Sequence, residues 1–185
     1  LYRERIDAVP YQPDFARRLG LPINLLEWPD EGGTVAIVVL SDGDPAKMKR
    51  CLDAIRTKTT YRNFRIVTVL NGPDLAVRTY LETVAKSDAR IEILTQTGDI
   101  AERYNAIVER LSDDWVLFLD PTLEVIEPRW LSRLLGYCTM PNVAVTSASI
   151  QSHDGKRLHG GVVLGMRDGI ASANAFHGLA LDAVS

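Results

Sequence analysis

Residues 35–74 read VAIVVLSDGDPAKMKRCLDAIRTKTTYRNFRIVTVLNGPD, and the architecture of the chain follows from them. VAIVVLS (35–41) is apolar and rich in β-branched residues without alternation, the pattern of a strand buried on both faces. Asp44 and Pro45 then open a helix in which Met48, Cys51, Leu52 and Ile55 recur at i, i+3, i+4 and i+7, so one side of it faces a core. FRIVTVL (64–70) is a second strand. NGPD (71–74) is a turn that also caps a helix with the stripe Val77, Leu81 and Val84.

The same alternation continues outward. RIEIL (90–94) predicts a third strand, and a helix after it carries Ile100, Tyr104, Ile107, Val108 and Leu111 on one side. WVLFLD (115–120) is the fourth strand, PRWLSRLLGYC (128–138) a helix begun by proline, and VAVTSASI (143–150) a fifth strand. GKRLHGGVVLG (155–165) reads as turn, short strand, glycine bend and strand. Ahead of the regular pattern, residues 1–33 are an N-terminal extension: prolines at 10, 13 and 22 leave room for a short helix, and PDEGG (29–33) is a linker. Strand and helix alternating at this spacing predict an α/β fold, a mostly parallel sheet sandwiched between helices in three layers.

Composition narrows the function classes. Of 185 residues, 46% are hydrophobic and 24% charged, the balance of a folded globular chain. A net charge of −3 gives no general basis for binding nucleic acid. No apolar run approaches the roughly 20 residues that span a bilayer. The chain begins at Leu1 rather than a methionine, so a piece of a longer protein is expected. Cys51 and Cys138 fall on apolar helix stripes without metal-ligand spacing. They read as buried, reduced thiols, which points to the cytoplasm.

In parallel sheets ligands bind beyond the carboxyl ends of the strands, so the residues to inspect are 41–44, 71–74, 96–98 and 120–124. No GxGxxG follows the first strand, and no P-loop or GxSxG elbow occurs. The strand ends carry Asp42, Asp44, Asn71, Asp74, Asp120 and Glu124 instead. Carboxylates repel a pyrophosphate directly but hold it through a divalent cation. Asp44 and Asp74 stand directly before helices and read as caps. Asp120 ends the most hydrophobic strand and precedes Pro121, so solvation, pairing and metal binding all stay open for it. His153, His159 and His177 lack zinc-site spacing and read as structural or surface groups.

In order and spacing, residues 34–179 resemble the family-2 glycosyltransferases of the GT-A fold, and in particular the O-antigen and rhamnosyltransferase-like subgroup. The likeness rests on the opening stretch quoted above, on GDIAERYNAIVERLSDDWVLFLD (98–120), on EVIEPRWLSRLL (124–135), and on DGKRLHGGVVLG (154–165) followed by NAFHGL (174–179). It implies a nucleotide-sugar-binding domain over residues 34–185. Ser41, Asp42, Asn71 and Gly72 would lie against the nucleoside, and Gly98, Arg103 and Asn105 near the donor, with Arg103 close to phosphate. Asp120 would hold Mn2+ or Mg2+ bridging the diphosphate.

Three departures accompany the resemblance. Leu70 stands where the family usually ends its second strand in aspartate, Thr122 stands where the metal motif ends in aspartate, and the acceptor-binding half with its general base is expected beyond this chain. One expectation is therefore the donor-binding domain of a hexosyltransferase, moving a sugar from a UDP- or dTDP-type donor to a growing surface polysaccharide or other glycan. The acceptor would be a glycan or lipid-linked glycan, met at the inner face of the membrane, with catalysis needing the remainder of the parent protein. The other is a degenerate, non-catalytic module that binds glycan or a partner domain within a larger protein.

Overall fold

The computed structural model describes residues 6–11, 13–159, 162–165 and 171–174. In chain order these form β1 (Asp7–Tyr11), α1 (Asp14–Leu19), β2 (Ile23–Glu27), β3 (Val35–Leu40), α2 (Pro45–Lys58), β4 (Phe64–Leu70), α3 (Leu75–Ala85) and β5 (Ile91–Thr95). There follow α4 (Ile100–Val108), β6 (Trp115–Leu119), α5 (Trp130–Cys138), β7 (Ile150–Gln151), β8 (Arg157–His159), β9 (Val162–Gly165) and β10 (Ala171–Asn174). By contacts they fall into two compact units, residues 29–131 and residues 1–28 with 132–185.

The first unit is built on a parallel sheet of order β5-β4-β3-β6. All six residues of β3 are buried, as the unalternating apolar run requires, because β4 and β6 flank it and helices cover it. The chain steps outward from β3 to β4 to β5 through α2 and α3, then recrosses to lay β6 on the far side of β3 through α4. Right-handed crossovers place α2 and α3 on one face and α4 on the other. Packing agrees: Ile107 of α4 sits against Ala36, Val38, Leu40, Val67 and Val69, while α2 and α3 adjoin each other. The fold is the expected α/β class, helices flanking a mostly parallel sheet. Its topological switch lies between β3 and β6, the point where such sheets open a ligand crevice.

Helix starts follow local chemistry. Asp44 caps α2 by accepting from the amides of Ala46 and Lys47 at 2.8 and 3.3 Å, and Pro45 occupies the first position. Asp74 caps α3 by accepting from Val77 N at 3.1 Å. Asp99 and Glu102 form a reciprocal capping box on α4.

Several expectations shift. Residues 7–11 and 23–27 form an antiparallel pair, β1 with β2, around the short α1; Pro10 and a fully exposed burial pattern in β1 hide that strand from periodicity. VAVTSASI is not a strand: only Ile150–Gln151 pairs, antiparallel to β8. Residues 143–149 have no regular partner, and Val145 is 83% exposed, so β-branched propensity has no packed face to act on. The helix expected from Pro128 begins at Trp130, with the Pro128 carbonyl instead accepting from Thr60 N at 3.1 Å. Cys51 is buried as expected, but Cys138 is half-buried with Sγ 3.0 Å from Thr146 Oγ1; both are free thiols. His177 and most of 174–179 lie outside the described residues.

In the second unit Gly136 of α5 lets the helix close on Trp28, whose ring lies 4.6 Å from that of Tyr137 between centroids. A Cβ at Gly136 would sit 2.1 Å from Trp28 Cδ2. Alanine favours a helix over glycine by about 0.5–1 kcal/mol, but overpacking costs about 1–3 kcal/mol. Gly136→Ala is therefore expected to lower the denaturant midpoint; a raised midpoint would show that the ring yields freely.

Candidate functional site

The ends of β3, β4 and β6 and the first turns of α4 enclose a cleft of about 440 Å³ at the switch point. A volume of this order suits a small-molecule ligand. It is lined by Leu40 to Gly43 from β3, Asn71 and Asp74 after β4, Asp120 to Thr122 after β6, and Ile100, Arg103 and Tyr104 of α4.

At the β3 end, the strand ladder is extended by Ser41 N, which donates to Val69 O at 2.8 Å. The hydroxyl of Ser41 accepts from Gly43 N at 3.1 Å, and Gly43 turns the chain away with φ +88°. Asp42 accepts from Asp44 N at 3.1 Å on Oδ1 and from Lys47 Nζ at 2.8 Å on Oδ2. The Lys47 hydrogen bond is the main cause that holds the Asp42 carboxyl below its ordinary range.

Arg103 is the unusual group. Only 6% exposed, it donates through Nη2 to Val69 O at 3.0 Å and Ser41 O at 3.5 Å, while its Nε has no partner. Burial lowers its pKa. No carboxylate among the described residues pairs with it, so one guanidinium ties the rims of β3 and β4 and leaves an uncompensated positive charge at the cleft. Beside it Tyr104 rests edge-on against Phe118, ring centroids 4.4 Å apart. Burial first, and Asp120 second, push the Tyr104 phenol up.

Asp120 is exposed at the rim. Its Oδ1 accepts from both Thr122 N at 2.8 Å and Thr122 Oγ1 at 2.5 Å, so threonine in the motif's last place fixes the carboxylate rather than adding a second charge. The Asp120 carbonyl accepts from Leu123 N at 3.1 Å and faces Cys51 Sγ at 4.0 Å. Burial pushes the Cys51 thiol up to about 12, which keeps it protonated rather than a thiolate nucleophile. Glu124 is turned to Arg50, 3.4 Å away.

Of the residues expected at a donor site, Ser41, Asp42, Asn71, Arg103 and Asp120 line this cleft; Gly72, Gly98 and Asn105 are not among its lining residues. Gly72 is buried in the turn after β4 with φ +91°. Gly98 makes room for the capping box, since a Cβ there would meet Glu102 Oε2 at 2.6 Å. Asn105 is exposed on α4. Tyr104 and Ile100 were not expected to line the cleft: both sit on an apolar stripe that reads as core, and the N-terminal end of that stripe lines the cleft instead.

The donor set does not fit a divalent cation held by the protein alone. Among the described residues no three His, Cys, Asp or Glu side chains form a metal-ligand group. One oxygen of Asp120 is already doubly engaged, and Asp74 is committed as a cap.

A parallel sheet flanked by helices, with acidic strand ends around a crevice at the switch point, defines an α/β protein with its cleft at the carboxyl edge of the sheet. The chain belongs to the family-2 glycosyltransferases, GT-A in type: the model described as Glycosyl transferase family 2 matches residues 34–177. It is 27% identical over 143 residues to the uncharacterized protein y4gI of Sinorhizobium fredii, covering 75% of this chain and 16% of that protein. It is 28% identical over 138 residues to the O-antigen biosynthesis protein RfbC of Myxococcus xanthus, covering 71% of this chain and 10% of that one. The chain thus spans a sixth or less of these relatives. Among solved structures it is similar to the mannosyltransferase PcManGT of Pyrobaculum calidifontis, in complex with GDP-Man and Mn2+. The TM-score is 0.54 at 14% identity, over 59% of this chain and 33% of that one. At that identity the likeness speaks for the fold.

The two departures from the family pattern differ physically. Leu70 is 0% exposed, and alternation along β4 turns it to the face opposite Val69 and α4, so Arg103 cannot neutralise a carboxylate there. Leu70→Asp is expected to cost about 3–5 kcal/mol, as an unpaired buried charge does. Thr122 is exposed, and Thr122→Asp should stay within about 1 kcal/mol of the parent. Chemical denaturation of both variants checks this, and equal stability would show that β4 can turn its end residue outward.

Proposed function

We propose that this chain is the donor-binding domain of a glycosyltransferase that moves a sugar from a nucleoside diphosphate, of UDP or dTDP type, to a growing surface polysaccharide or other glycan. The cleft at the switch point carries this reading, because it joins Ser41, Asp42 and Asn71 at one rim to the uncompensated Arg103 and to Asp120. Membership of the family supports it, as do the O-antigen biosynthesis relative and a fold neighbour solved with GDP-Man.

On this reading the nucleoside lies against Ser41, Asp42 and Asn71, whose polar atoms select it by hydrogen bonding. The diphosphate faces Arg103, whose charge is strengthened by exclusion from water. In the transfer, the bond from the anomeric carbon to the diphosphate breaks. A new one forms to an acceptor hydroxyl oxygen from the opposite face, and the electron pair leaves on the nucleoside diphosphate. The hydroxyl proton passes to a general base supplied by the acceptor-binding part of the parent protein, so residues 1–185 alone bind donor without turnover. The whole enzyme would act at the inner face of the membrane; among the described residues no helix is long and apolar enough to cross it.

A second reading, a glycosyltransferase-like module without donor chemistry, draws on Leu70 and Thr122, which remove two carboxylates from the family's pattern. Titration calorimetry with UDP, dTDP and GDP separates the two. Saturable binding by the folded chain, weakened about tenfold by Asn71→Ala through loss of one nucleoside hydrogen bond, supports a donor site. No binding by the chain or by a longer form carrying the acceptor part favours the module.

A further inference from the structure

The carboxylates around the cleft are already hydrogen-bonded within the chain. Asp42 is held by Lys47 and by Asp44 N, Asp74 by the α3 amide of Val77, and Asp120 by Thr122. Such an arrangement cannot by itself gather a dication, yet a diphosphate entering beside three carboxylates needs positive charge. Arg103 directs Nη2 at two backbone carbonyls. The nearby cations of α2 differ in their partners: Lys49 is paired with Asp53 at 2.5 Å and Arg50 with Glu124 at 3.4 Å, neither partner lining the cleft. Lys47 alone of these three is joined to a lining residue, Asp42, at 2.8 Å, with Asp44 at 4.0 Å.

We propose that Lys47 is a diphosphate-binding residue beside this cleft, an ammonium held by the lining residue Asp42 that supplies the charge a divalent cation would bring, so that nucleotide binding needs no added metal. The inference rests on the donor-site reading above. Its geometry is that of a preorganised donor. An ammonium has three N–H groups; Asp42 takes one and sets the direction of the side chain, leaving others for phosphate oxygens. The lysine stands in the first turn of α2, and its side chain is 37% exposed, so the head is open to a ligand. The hydrogen bond to Asp42, and then the charges of Asp42, Asp44 and Asp120, raise its pKa and keep it protonated across the neutral range. Asp42 therefore sets where the cation stands beside the cleft.

The test is calorimetry of the 185-residue chain with UDP, dTDP and GDP and with the matching nucleosides, each in EDTA and in MnCl2. Diphosphate binding is expected to persist in EDTA. Lys47→Ala should weaken it about tenfold or more, as loss of a charge-assisted contact does, leave nucleoside binding unchanged, and be largely rescued by Lys47→Arg. Binding that appears only with Mn2+ overturns the proposal while leaving the donor site standing. Equal weakening of nucleoside and diphosphate also overturns it, since Lys47 would then act by holding Asp42 for the nucleoside. No binding of any nucleotide in either condition overturns the donor-site reading itself, and this inference with it.

Discussion

The structure depends on the burial of β3. Six consecutive apolar residues, flanked by parallel β4 and β6 and covered on both faces, place this strand at the centre of the core. Fixing β3 fixes where its carboxyl end emerges, and therefore where Ser41, Asp42 and the cap Asp44 stand. The recrossing through α4 then opens the sheet next to that end. The cleft is a consequence of strand order: its polar groups come from segments that share no local sequence, brought to one rim because their strands are parallel and in register.

Arg103 turns that rim into a charged surface. A buried guanidinium is costly unless its donors are satisfied, and here two backbone carbonyls, one from each neighbouring strand end, take the place of a carboxylate. The arrangement braces β3 to β4, but carbonyl dipoles do not neutralise a full charge, and Nε stays without a partner. The same residue therefore contributes to the fold and biases the cleft toward anions. Asp120 is treated in the reverse way, an exposed carboxylate whose orientation is set by Thr122.

Much of this was legible because the signals were local. The unalternating run of β3, the stripes of α2 and α3 and the caps Asp44 and Asp74 are each decided within a few residues, and the α/β class follows from their order. What was missed is decided elsewhere in the chain. Val143–Ile150 has the composition of a strand, but a strand needs a neighbour, and only its last residue finds one. The β1–β2 pair carries no apolar face to announce it. At the site, strand-end logic found Ser41, Asp42, Asn71 and Asp120, and the family resemblance added Arg103, while Tyr104 was hidden in a core-like stripe. Gly98 belongs to the capping box ahead of α4, and that demand on its backbone looks the same in sequence as a ligand contact.

The two missing carboxylates of the family pattern carry opposite physical meanings. Leu70 is core and fully buried, so that departure belongs to packing. Thr122 stands at the rim, where its hydroxyl donates to Asp120 Oδ1 in place of a second carboxylate. Only this second departure bears on the charge of the cleft. On the donor-site reading, a rim with one more aspartate would repel a diphosphate more strongly and need a dication to admit it. Without that charge the positive charge required is smaller, and side chains already in place, one buried guanidinium and one exposed ammonium, come closer to supplying it. On that reading the departure at Thr122 belongs to a donor site rebalanced around Arg103 and Lys47, in which Arg103 serves the fold and the cleft at once by bracing β3 to β4 through two carbonyls.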